Sequence, residues 1–127
     1  QDIRREKASS NICTNQTLNA IGSAIHLSWM GPEGIYQVGY QAIQKAIYMK
    51  SQLIEKGFKV INDESSLREF IVETILPAKT IISEMGNRGF LAGIEYSENL
   101  LLVALTEKRT KDEIDNYVKQ FSEVNHG

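Results

Sequence analysis

One break, at Gly31-Pro32, divides a run in which apolar residues recur at steps of three and four from Leu18 to Leu53. That spacing stacks side chains on one helical face, while a glycine followed by a proline ends one helix and suits the start of another. Two consecutive helices are therefore expected. The first runs to about Met30, with Thr14 as its N-cap and Leu18, Ile21, Ile25 and Trp29 in helical register. Its other side carries Ala20, Ala24 and Leu27. A helix that is apolar nearly all round belongs between layers rather than on a surface. The second carries Ile35, Val38, Ala42, Ala46, Met49 and Leu53 up to Gly57. At 1.5 Å per residue it is about 35 Å long, enough to bridge two structural units.

Beyond Gly57 the pattern shortens. Residues 58–61 and 68–73 read as strands, the second centred on Phe70, Ile71 and Val72, with turn chemistry at residues 62–66 between them. Pro77 opens a third helix over Ala78, Ile81, Ile82 and Met85, and Gly86, Asn87 and Gly89 close it. Residues 90–96 are interrupted by Gly93, which predicts a bulge or a close backbone approach. The unbroken apolar run at residues 100–105 suits a central strand. Thr110 and Glu113 have capping-box spacing, and Ile114, Tyr117, Val118 and Phe121 then share one helical face. The expected class is α+β, with long helices packed on one face of a small, mostly antiparallel sheet.

The chain has 127 residues, 42% of them hydrophobic and 24% charged, which predicts one globular unit. Its formal net charge of −2 gives no attraction for nucleic acid or an anionic membrane, so neither is an expected partner. No apolar stretch approaches the roughly eighteen residues of a membrane span. The lone Cys13 cannot form an internal disulfide, and with only His26 and His126 beside it there is no zinc ligand set and no expected metal. A cytoplasmic or organelle-matrix compartment fits this usage better than secretion, and the cytoplasm is the expected one. The chain starts at Gln1 in a charged, aperiodic segment, as expected of a piece cut from a longer protein.

Ser9, Ser10, Asn11, Cys13 and Thr14 combine hydroxyls, an amide and a thiol just before a helix start. Free amides and the helix dipole favour a phosphate there. The same residues also read as an ordinary loop ending in a cap, and pattern alone leaves both readings open. Arg4, Arg5 and Lys7 suit either a phosphate contact or a solvated basic cluster, and the triplet Glu107-Lys108-Arg109 is ambiguous in the same way. His26, inside an apolar helix, is expected in the core, and His126 in a fraying tail. No residue is singled out as catalytic.

The string Gln1-Asp2-Ile3-Arg4-Arg5-Glu6-Lys7-Ala8-Ser9-Ser10-Asn11-Ile12-Cys13-Thr14-Asn15-Gln16 resembles the signature of glycine decarboxylase subunit 1, the P-protein family of the glycine cleavage system. Gly31-Pro32-Glu33-Gly34, Gly89-Phe90-Leu91-Ala92-Gly93 and the segment from Leu101 to Thr110 agree in order. Ser9 stands where threonine is usual, which keeps the hydroxyl. The resemblance implies the small C-terminal domain of a fold-type-I pyridoxal-phosphate enzyme. Residues 1–31 would end the large domain, 32–57 would link, and 58–127 would form the small domain. It implies an enzyme that decarboxylates glycine at pyridoxal phosphate and passes the aminomethyl group to the lipoyl arm of the H-protein. The cofactor lysine would lie on glycine decarboxylase subunit 2, with no cofactor held by this piece alone. Ser9, Ser10, Asn11, Cys13 and Thr14 would reach the partner's cofactor phosphate. The competing reading is a purely structural interaction module that touches no cofactor.

Overall fold

The computed structural model describes residues 15–61 and 67–126. Its elements are α1 (Thr17–Glu55), β1 (Glu69–Glu73), α2 (Ala78–Asn87), β2 (Ile94–Ser97), β3 (Leu100–Ala104) and α3 (Lys111–His126). The chain divides into two compact units, Gln1–Ile35 and Tyr36–Gly127, rather than the single one that composition predicts.

In the first unit α1 begins as expected and breaks where the sequence breaks. Gly31 has φ 64° and ψ 179°, outside the helical region. Proline at position 32 crowds the helical conformation of the residue before it, and glycine alone enters this region at little cost. The two predicted helices are thus present as one element with an interruption. The expectation of burial does not hold for the first of them. Every residue from 15 to 29 is exposed, Leu18 at 81% and Trp29 at 86%. The sequence pattern records a face suited to burial, and these residues contain no layer that covers it.

In the second unit Ala42, Ala46, Met49 and Leu53 of α1 are buried, following the predicted stripe. The helix then closes in a Schellman motif. The Phe58 amide donates to the Leu53 carbonyl at 3.0 Å, the Gly57 amide to Ile54 at 2.9 Å, and Gly57 has φ 90°. α2 ends in the same way, with Phe90 donating to Met85 at 2.9 Å, Gly89 to Gly86 at 3.0 Å, and Gly89 at φ 84°. The strand reading of residues 58–61 is corrected: the segment leaves the turn that ends α1 and meets β1 at one described bridge, Val60 to Val72, flanked by bonds from the Ile61 amide to the Ile71 carbonyl and from the Glu73 amide to the Lys59 carbonyl.

The sheet has the order β1-β3-β2 with both pairs antiparallel, and the run predicted to be central is the central strand. β1 and β2 therefore run parallel on either side of β3, and α2 supplies the crossover such a pair needs. The β2–β3 turn is tied to the crossover, because the Glu98 and Asn99 carbonyls accept from the Ala78 and Thr74 amides at 2.6 and 2.8 Å. Phe70 and Val72 of β1 and Leu101 and Val103 of β3 form the buried face, against Ile81 and Met85 of α2 and Ile114, Val118 and Phe121 of α3. Gly93 makes the predicted close approach. Its φ is 149°, and a Cβ built there would overlap the Leu102 carbonyl oxygen and lie 3.1 Å from the Leu101 side chain.

Two glycines of this unit should respond with opposite sign to alanine. Gly93→Ala must move the central strand and should cost on the order of 3 kcal/mol, from strain together with overpacking. Gly86, inside α2 with open space around it, should gain roughly 0.5–1 kcal/mol as Gly86→Ala. Urea unfolding of the two variants beside the parent chain reads both signs.

Candidate functional site

The five predicted site residues, Ser9, Ser10, Asn11, Cys13 and Thr14, lie outside the described residues, as do Arg4, Arg5 and Lys7. What is described of that region is the helix start; Thr14, the expected N-cap, lies outside the described residues too. The Gln16 carbonyl takes the first helical bond, from Ala20 at 2.8 Å. The Asn15 side-chain carbonyl accepts from the Thr17 amide at 3.1 Å and from the Thr17 hydroxyl, which satisfies one free amide of the first turn. One donor that a phosphate could have used is thereby occupied.

The histidines also depart from expectation. His26 is exposed and borders a shallow groove on α1 with Leu18, Gly22 and Leu27. His126 belongs to the last turn of α3, its ring 5.5 Å from that of Phe58. The ring contact joins the end of α3 to Phe58. Among the described residues no group of three His, Cys, Asp or Glu is arranged to hold a metal ion.

The second unit contains a cleft of about 610 Å³ between β3, the start of α3 and the segment after α2. Phe90, Val103, Leu105, Ile114 and Tyr117 form its apolar walls, and Thr106, Arg109, Glu113 and Asn116 contribute polar groups. The capping box read from the sequence supports this rim. The Glu113 carboxylate accepts from the Thr110 amide at 2.8 Å, and the Thr110 hydroxyl accepts from the Glu113 amide at 3.2 Å. The other carboxylate oxygen of Glu113 lies 3.5 Å from Arg109. The bond from the Thr110 amide, with help from Arg109, holds the Glu113 carboxyl below its usual range. A carboxylate so stabilised is a poor proton acceptor near neutrality, and among the described residues no histidine or cysteine lines the cleft.

Further contacts tie the start of α3 and the segment before it to α1. The Tyr48 hydroxyl donates to Asp115 at 2.6 Å, and Lys111 reaches the same carboxylate at 2.5 Å while sitting 5.2 Å from the Tyr48 ring centre. Lys111, then Tyr48, pulls the Asp115 carboxyl down, and Asp115 in turn raises the Lys111 ammonium. Lys45 donates to the Glu107 carbonyl, which pins the ambiguous charged triplet to α1. The buried Tyr117 hydroxyl donates to the Ala92 carbonyl at 2.6 Å, and burial pushes its own phenol up. The four-residue spacing of Lys111 and Asp115 was legible in the sequence. Tyr48 and Ala92 were not, since no local spacing signals them.

The family model described as glycine cleavage system P-protein matches residues 1–121. The chain belongs to the P-protein family. It is 44% identical over 131 residues to the probable glycine dehydrogenase (decarboxylating) subunit 1 of Staphylococcus haemolyticus (strain JCSC1435), covering 98% of this chain and 29% of that protein. It is 45% identical to the protein of the same name from Chlorobaculum parvum (strain DSM 263 / NCIMB 8327), again over 98% and 29%. The chain therefore spans less than a third of the length of these relatives. A crystal structure of glycine decarboxylase (P-protein) of the glycine cleavage system, in inhibitor-bound form, superposes at a TM-score of 0.84 with 30% identity, over 96% of this chain and 29% of that one. A NifS-like protein superposes at 0.64 over 72% of this chain and 29% of its own, and at 14% identity it speaks for the fold alone. The α+β fold expected from the sequence, that of the small domain in fold-type-I enzymes, is the one these structures share with this P-protein chain.

Two outcomes follow from the rim. Glu113 and Asp115 both titrate lower when folded, so their contribution is present above the ordinary carboxyl values of 4.5 and 3.8 and is lost as pH falls below them. The urea midpoint should hold from pH 7 to 5 and drop below about 4, more gently in the double variant Glu113→Gln, Asp115→Asn. Tyr117→Phe leaves the buried Ala92 carbonyl without its donor and should cost about 1–3 kcal/mol in the same assay at pH 7.

Proposed function

We propose that the chain is a part of subunit 1 of a glycine decarboxylase that acts in the cytoplasm. The whole enzyme decarboxylates glycine at pyridoxal phosphate and transfers the aminomethyl group to the lipoyl arm of the H-protein. The observation that supports this most is the likeness over almost the whole chain to proteins of that name, in sequence and in three dimensions. In this reading residues 1–31 end the large domain, 32–57 link, and 58–127 form the small domain. Subunit 2 carries the cofactor lysine, and this chain supports it.

The described residues do not by themselves make a seat for the cofactor. The Thr17 amide is taken by Asn15, and Arg109 at the cleft is paired with Glu113. Pyridoxal phosphate supplies the electron sink when bound. The contacts that this chain contributes are assigned to Ser9, Ser10, Asn11, Cys13 and Thr14, whose hydroxyls and amides before a helix start suit the phosphate. A second reading, an interaction module without cofactor contact, is favoured by one observation: the apolar side chains of α1 from Leu18 to Trp29 are exposed and suited to a protein surface.

Glycine-dependent exchange of labelled bicarbonate separates the enzyme from other functions. With H-protein and cofactor supplied, full-length subunit 1 and subunit 2 should each be inactive alone and active when mixed. Activity absent from the mixture refutes the decarboxylase reading. Thr14→Val in full-length subunit 1 then separates the two roles of the chain. Weaker retention of pyridoxal phosphate by an assembled pair, about tenfold for the loss of roughly 1.4 kcal/mol, is the result expected of a phosphate contact. Unchanged retention leaves the interaction module.

A further inference from the structure

We draw no further inference here: the strongest candidate, the outward face of the three-stranded sheet where Leu102 and Ile94 lie in register beside Tyr96, is an apolar surface, and nothing among the described residues shows what covers it.

Discussion

Two helix ends set the second unit, and both use the same local device. At Lys56-Gly57-Phe58 and at Arg88-Gly89-Phe90 a left-handed glycine reverses the chain and delivers a phenylalanine inward. The two rings meet neighbouring residues on one face of α3. Phe58 lies edge-on to Phe121 with ring centres 5.0 Å apart, Phe121 stacks with Tyr117 at 5.8 Å, and Tyr117 meets Phe90 edge-on at 6.0 Å. This chain of aromatic contacts joins α1, α2 and α3 over the sheet. Each pair contributes about 0.5–1.5 kcal/mol beyond the area it buries. The greater effect is geometric, because a cap fixes both where its helix stops and which way its phenylalanine points.

The cleft beside this aromatic line depends on it. Tyr117 forms part of the cleft wall, and its hydroxyl holds the Ala92 carbonyl, which sets the segment between Gly89 and Gly93. Gly93 then lets the chain pass against the Leu102 backbone before β2 begins. On the other side the capping box of α3 positions Arg109, and Tyr48 and Lys45 of α1 hold Asp115 and the Glu107 carbonyl. Arg109 and Glu113 at the cleft are thus engaged with one another.

Much of the fold was legible because its signals are local. Pro32, Pro77, the glycines at 31, 57 and 89, and the Thr110/Glu113 pair each punctuate the chain within a few residues. The central strand was legible from an apolar run that only a strand flanked on both sides can bury. Residues 58–61 were misjudged because a composition suited to a strand does not reveal how many of its residues a neighbouring strand will pair, and here Val60 alone of the four forms a bridge. Thr14, the expected N-cap, lies outside the described residues. Of the candidate site, the five loop residues were named from side-chain chemistry and lie outside the described part. The contacts of Tyr48 with Asp115 and of Tyr117 with Ala92 span 67 and 25 residues, and carry no pattern that periodicity could reveal.

The sequence by itself determined the family, the three helices and the three strands of the sheet in order, the glycine-closed helix ends and the inward faces of α2, α3 and the second half of α1, since these follow from side-chain spacing and backbone preference within one or two turns. Only the tertiary structure decided the strand order, with β3 between two parallel neighbours, and the pairing of Tyr48, Lys45 and Tyr117 with their distant partners. It also decided that the apolar first half of α1 is exposed in this chain. The physical reason is that hydrophobic periodicity states only that a face is better buried, while the partner that buries it is chosen by contacts made far along the chain or by another polypeptide.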